Sequence, residues 1–311
     1  MQTTVSLSSQ AIKAEALRLG FSACGIAPAL PVSEEHRKAL SQWLASDSQA
    51  DMVYMENHFE KRCNPQLLVE GTRCVVSVAL NYYPAQKLPE NEYQLAWYAY
   101  GKDYHDIMRS KLTALFEYIR ENLAPSLEGR VFCDTAPVLE RYWAERAGLG
   151  WIGKNTQLII PHAGSTFFLG ELFLNMEADQ YDEPQPNRCG SCTRCLQACP
   201  TNALEAPQSL DARRCLSFLT IENKSGIPAS MASKLGNRIY GCDECQRACP
   251  WNRFATPCQT PELHPSPALL EMKRQDWHEL TEEQYRNLFK DSAVKRAKYS
   301  GLMRNIKETG A

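Results

Sequence analysis

The sequence predicts an α+β fold in which a large N-terminal unit precedes a two-cluster, ferredoxin-like iron–sulfur module and a short helical tail. Three observations carry this. Short apolar strands and helices both occur over the first 176 residues. Two matching cysteine runs lie between Cys189 and Pro250, and beyond them a proline-rich connector leads into a helical, basic tail. The expected boundaries are 1–176, 177–258 and 259–311.

In chain order, Ser8 or Ser9 is an N-cap for a helix through Leu19, stopped by Gly20. Phe21–Ala27 is a short apolar strand, and 34–46 a second helix with Leu40, Trp43 and Leu44 on one face. The asparagine and proline of Glu60-Lys-Arg62-Cys-Asn-Pro65 mark a turn. Cys74–Leu80 is β-branched and reads as a buried strand. Aromatics crowd Trp97–His105. The spacing of Leu112, Leu115, Phe116 and Ile119 predicts a helix over 107–123. A strand at Val131–Cys133 ends at Asp134, and Pro137 is placed to open a helix over 138–147 that stops at Gly148.

Gly148-Leu-Gly150-Trp-Ile-Gly153 spells G-x-G-x-x-G, but it follows a helix and precedes a strand, the reverse of a dinucleotide site. A tight helix exit, or close backbone approach to something bulky, accounts for these glycines. Thr156–Ile160 and Thr166–Leu174 are expected to pair as a hairpin. The acidic stretch Glu177–Asn187, with Pro184 and Pro186, reads as a linker.

The first cysteine run, Cys189-x2-Cys192-x2-Cys195-x3-Cys199-Pro200, has the spacing of bacterial two-cluster ferredoxins. The second, Cys242-x2-Cys245-x3-Cys249-Pro250, lacks one cysteine. Two [4Fe–4S] clusters need eight thiolates; the runs supply seven, and Cys215 between them can supply the eighth. In that pattern the last cysteine of each run crosses to the other cluster. One cluster then takes Cys189, Cys192, Cys195 and Cys249, and the other Cys199, Cys215, Cys242 and Cys245. Structural zinc prefers two C-x2-C knuckles with four ligands, and disulfides need an oxidising compartment. Four cysteines in eleven residues followed by proline fit a cubane better.

The 311 residues suffice for about two domains, and 44% hydrophobic with 23% charged content is ordinary for a globular protein. A net charge of −2 excludes bulk attraction to nucleic acid, so any such contact needs a local basic patch. The N-terminus lacks the charged start and apolar core of an export signal, and no apolar run reaches membrane-spanning length. A cytoplasmic protein is expected, where thiols stay reduced. The tail supplies Lys290, Lys295, Arg296, Lys298, Arg304 and Lys307 as the densest basic series.

Clusters alone would make a ferredoxin-type electron carrier, but a carrier needs no 188 residues ahead of its first ligand. The upstream unit should hold a substrate, a second redox centre, or both. Reduction needs a proton donor, and Asp134, at a strand end, is the candidate; the competing reading is a turn or cap residue. Lys154 could contact a cofactor or be a solvated charge. Trp97, Tyr98 and Tyr104 could stack on a ligand or fill the core.

Longer motifs then point to a family. Asp134-Thr-Ala-Pro-Val-Leu-Glu-Arg141, Ala147-Gly-Leu-Gly-Trp-Ile-Gly-Lys154-Asn155, Gly164-Ser-Thr-Phe-Phe-Leu-Gly-Glu171, Leu210-Asp-Ala-Arg-Arg-Cys215-Leu-Ser217-Phe-Leu-Thr-Ile-Glu222 and Asn237-Arg-Ile-Tyr-Gly-Cys242-Asp-Glu-Cys-Gln resemble epoxyqueuosine reductase, from about residue 8 to Ile306. The resemblance implies a nitroreductase-like, corrinoid-binding N-terminal domain. It implies cobalamin and two [4Fe–4S] clusters as cofactors, reduction of epoxyqueuosine to queuosine at the wobble position of a tRNA with a GUN-type anticodon, and an external donor such as a flavodoxin or ferredoxin. It makes Asp134 the proton donor, which requires a carboxyl pKa raised by desolvation, and supports the eight-cysteine assignment. Arg62, Tyr104, Asp134, Lys154 and Ser217 become cofactor-pocket residues. A monomer is expected. A reductive dehalogenase-like corrinoid enzyme is the rival enzyme reading. Relatives commonly carry arginine where this chain has Trp97, and many extend into a C-terminal helical-repeat domain; with the chain ending at Ala311, the tRNA grip is expected from the cluster module and basic tail.

Overall fold

The computed structural model describes residues 6–309. Its centre is a four-stranded antiparallel sheet in the spatial order Ala23–Pro28, Cys74–Asn81, Phe167–Leu174, Gly129–Phe132. The two middle strands are almost wholly buried, which fits their mainly apolar sequences, interrupted by the buried Ser77 and Glu171. One face is covered by the helices Ser9–Arg18 and Tyr104–Asn122, whose Ile12, Met108, Leu112, Leu115 and Ile119 are fully buried. The Ser8 Oγ caps the first helix by accepting from Ala11 N at 3.3 Å, a bond typically worth about 1 kcal/mol. Helix Glu140–Arg146 lies on the other face with Tyr142, Trp143 and Ala144 buried.

Two expectations about this region change. The strand after Pro161 does not pair back on 156–160. Both edges of Phe167–Leu174 are taken by sheet neighbours, and Leu158–Ile159 pairs instead with Trp151–Ile152; a lone bridge joins Ile160 to Gly164. Nor does Pro137 open a helix. Residues 133–138 form a looping turn, with Thr135 N bonded to Cys133 O at 2.6 Å and Val138 N to Ala136 O at 2.8 Å, and the helix begins at Glu140. The G-x-G-x-x-G glycines serve the backbone. Gly148 exits the helix at φ +73°, and a Cβ on Gly150 would stand 2.0 Å from Ile159 O.

The acidic stretch is pinned to the N-terminal unit rather than hanging free. Asp182 bridges Lys13 Nζ at 2.7 Å and accepts from Ile26 N at 2.8 Å, and Asp179 accepts from Ser9 N. In the cysteine module, short helices Arg194–Ala198 and Glu244–Arg247 lie within the two runs and carry Cys195 and Cys245. Each run ends in an extended cysteine, Cys199 at φ −68°, ψ 112° and Cys249 at φ −72°, ψ 122°, because the proline behind it disfavours the helical conformation. The module is laced to the first unit: Arg238–Tyr240 pairs in parallel with Gln94–Leu95. The tail shares the main core through Trp277, Tyr285, Phe289, Leu302 and Ile306. Its last helix, Lys298–Thr309, packs on Arg238–Tyr240 and on Leu216–Ile221. Among the described residues no helix is long and apolar enough to cross a membrane.

Candidate active site and cluster module

Asp134 follows the short sheet-edge strand and has a left-handed backbone, φ +57°. Its side chain is 58% exposed. Oδ2 accepts from the Tyr104 hydroxyl at 2.7 Å and meets His105 Nε2 at 3.2 Å. His105 Nδ1 lies 2.6 Å from Asp103 Oδ1. All three partners come from one helix start: Asp103 is the N-cap and also accepts from His105 N. Phe168 stacks on Tyr104 at 4.2 Å and 3°, and His105 stacks on its other side at 4.1 Å.

The electrostatics differ from expectation. The hydrogen bond from His105 holds the Asp134 carboxyl below the usual carboxylate range, outweighing the desolvation that would raise it. Bonds to Asp103 and then Asp134 push His105 up to about 9. At neutral pH the proton therefore sits on the imidazole of an Asp103–His105–Asp134 chain. Sequence reasoning missed His105, although Asp103-Tyr104-His105 spells an acid, a phenol and a base at a helix start.

Arg62 is 7% exposed, donates to Tyr54 O at 3.1 Å, and keeps a buried Nε without a partner. Tyr54 is half exposed; burial, then the charges of Glu222, Arg296, Asp134 and Arg62, set its raised pKa, so these groups are its charged neighbours. Glu222 ends the short helix that carries Ser217 and holds Arg296 of the tail by two bonds, at 2.8 and 2.7 Å. Lys154 lies elsewhere. Its Nζ donates to the carbonyls of Gly190 at 2.7 Å and Cys192 at 3.0 Å, inside the first cysteine run. Trp97 is a core residue, its N–H donated to Asp243 and its ring packed edge-on to Tyr83.

Cys189, Cys192, Cys195 and Cys249 line one cavity of about 90 Å³ together with Lys154 and Trp251. The other four are mutual neighbours: burial, then Cys242, Cys215 and Cys199 among the nearby groups, push the Cys245 thiol well up, and burial drives Cys242 up to about 12. Among the described residues no three His, Cys, Asp or Glu side chains converge as around a single ion. A cubane, with iron at four corners, sets its thiolates farther apart and fits a cysteine-lined cavity where lone zinc does not. The buried Trp151, packed against Cys249, keeps an indole N–H without a protein acceptor, a donor suited to a cluster sulfur. Near Asp134 the orphaned Arg62 Nε and the half-exposed ring of Tyr54 suit a large ring with polar side arms.

An α+β sheet unit laced to an eight-cysteine module, with an acid–base chain ending in an exposed carboxylate, defines an iron–sulfur oxidoreductase. The comparisons agree. The family described as "4Fe-4S double cluster binding domain" matches residues 188–252, and that described as "Epoxyqueuosine reductase QueG, DUF1730" matches residues 62–135. Epoxyqueuosine reductase of Cellulophaga algicola is 45% identical over 298 residues, covering 96% of either chain. That of Escherichia coli is 39% identical over 304 residues, 96% of this chain and 79% of the relative. A solved epoxyqueuosine reductase with an epoxyqueuosine-modified tRNA-Tyr stem loop superposes with TM-score 0.86 at 29% identity, covering 96% of this chain and 80% of that one. Another, from Bacillus subtilis with its catalytic aspartate loop swung out of the active site, gives 0.87 at the same identity and coverage. The chain belongs to the epoxyqueuosine reductase family.

Proposed function

We propose that this chain reduces epoxyqueuosine to queuosine at the wobble position of tRNA carrying a GUN-type anticodon, with Asp134 as the last proton donor. The observation that carries the reading is the Asp103–His105–Asp134 chain with its exposed carboxylate, near Tyr54, Glu222 of the cysteine module and Arg296 of the tail. Converting an epoxide to an alkene and water consumes two electrons and two protons. At neutral pH the Asp103–His105–Asp134 chain holds one proton, on His105, so His105 supplies one of the two through Asp134 and the other enters from solvent at the exposed Asp134 carboxylate. Asp134 protonates the departing oxygen, an otherwise poor leaving group. The imidazolium of His105 loads it, and Asp103 keeps the ring oriented and charged. Tyr104 fixes the carboxylate by its hydroxyl.

Arg62, Tyr104 and Ser217 are the residues that would hold cobalamin, which supplies low-potential electrons near Asp134 when bound. Cys189, Cys192, Cys195 and Cys249 would hold one [4Fe–4S] cluster, and Cys199, Cys215, Cys242 and Cys245 the other; the clusters supply those electrons one at a time from an external donor such as a flavodoxin or ferredoxin. By likeness to the Bacillus subtilis relative, the Asp134 loop has a second position outside the site. The protein would act as a cytoplasmic monomer, with the three domains bounded at 176 and 258.

Anaerobic reconstitution with iron, sulfide and cobalamin, followed by mass spectrometry of nucleosides from epoxyqueuosine tRNA, tests the reading. Queuosine should form with about eight irons and one corrinoid per chain. A loaded protein that binds no corrinoid, or leaves the epoxide intact, sinks it.

A further inference from the structure

Asp134 is a non-glycine residue in the left-handed region, which costs free energy unless its surroundings over-determine it. Its side-chain partners Tyr104 and His105 hold the carboxylate but not the backbone. The backbone is held by Glu140: the Asp134 N–H donates to Glu140 Oε1 at 2.5 Å. Glu140 is the first residue of helix Glu140–Arg146, so the grip comes from outside the loop. The helix start is itself anchored. The next residue, Arg141, donates to Thr156 O at 2.7 Å, and Thr156 is another left-handed residue, φ +66°. The turn holding Thr156 carries Lys154 and Asn155, which bond the carbonyls of Gly190, Cys192 and Cys245. Glu140 thus ties the catalytic loop to a turn fixed against both cysteine runs.

We propose that Glu140 is a positioning residue that latches the Asp134 loop in its working conformation. While its side-chain oxygen accepts the Asp134 N–H, the carboxylate of Asp134 points at Tyr104 and His105. Without that acceptor, the loop relaxes to an unstrained backbone and the carboxylate leaves its partners. The inference deepens the proposed role of Asp134 and rests on it.

The test compares Glu140→Gln and Glu140→Ala in the reconstituted holoenzyme with the parent and Asp134→Asn. Glutamine keeps a carbonyl acceptor of the same reach; alanine removes it. Glu140→Ala should lower kcat by about a hundredfold, the scale of a 1 Å misplacement, with KM for an anticodon stem loop, iron content and corrinoid content held within twofold. Amide hydrogen exchange over residues 133–138 should speed up in the same variant. Glu140→Gln should stay within about fivefold of the parent in both readouts. Unchanged turnover and exchange in Glu140→Ala, or a Glu140→Gln as impaired as the alanine variant, would overturn the latch. Exchange needs no turnover, so faster loop exchange in Glu140→Ala beside an active Asp134→Asn would leave the latch standing and discard Asp134 as donor.

Discussion

At the scale of single residues, the proton in this site is on a different atom from the one a sequence suggests. A strand-end aspartate in a reductase invites a raised carboxyl pKa, yet the His105 bond lowers it and the imidazole, raised to about 9, carries the charge. The sign follows from linkage. His105 has its pKa raised above the ordinary 6.5, so its contribution to stability is full below about 6.5 and is lost as pH rises through 9. Turnover that draws a proton from His105 should fall over the same window. We expect kcat to decline above pH 9 in the parent. His105→Gln should lose most of the rate, on the order of a hundredfold or more for general acid help, and show no decline near 9. A His105→Gln profile that keeps the parent's alkaline limb would move that titration to another group. Asp134 itself was legible because its motif is long. His105 and Glu140 were not, because neither a ring stacked on Tyr104 nor a side chain capping another residue's backbone leaves a periodic trace.

At the scale of elements, the strands and the long helices were readable because burial imposes their pattern. The two middle strands are mainly apolar, and helix Tyr104–Asn122 shows its buried stripe at helical spacing. Pairing was harder. The segment Leu158–Ile159 is short enough to pair either way, and the choice was made by the sheet, which had already filled both edges of Phe167–Leu174. Lys154 shows the same limit: three glycines before it suggest a ligand loop, while the fold hands its ammonium to two carbonyls of the first cysteine run. Lys154→Ala should therefore make one cluster more labile, with roughly four of about eight irons lost faster to a chelator, and leave corrinoid affinity alone. Cys215→Ser should remove four irons from the other quartet. Weaker corrinoid binding by Lys154→Ala with stable iron would return the lysine to the cofactor pocket.

At the scale of the whole molecule, the question is how a chain of net charge −2 holds a polyanion. Field must be focused, and the tail was the sequence's best source of it. The fold sorts that series. Arg304 is half-buried and spends its guanidinium on the carbonyls of Leu219 and Asn223, so it braces the tail helix. Arg296 is clamped to Glu222, yet it stays near enough to Asp134 and Tyr54 for its charge to be felt by both. Lys290, Lys298 and Lys307 are exposed and have no carboxylate partner among the described residues, and Lys295 is only 3.9 Å from Asp291. Surface pairs that loose contribute little, so Lys295 can exchange its partner for a phosphate. Neutralising Lys295, Arg296 and Lys298 together should weaken binding of an anticodon stem loop. Each phosphate that the variant no longer neutralises should flatten the salt dependence by roughly 0.7 to 0.9 log units per log unit of salt. Arg304→Gln should instead lower thermal stability and leave the salt slope unchanged, since its bonds are internal. Cobalamin and iron contents should be untouched in the triple variant. If the triple variant keeps both the parent's affinity and its slope, the tail does not grip the tRNA, and the exposed arginines of the cysteine runs, Arg188 and Arg194, are the next residues to neutralise.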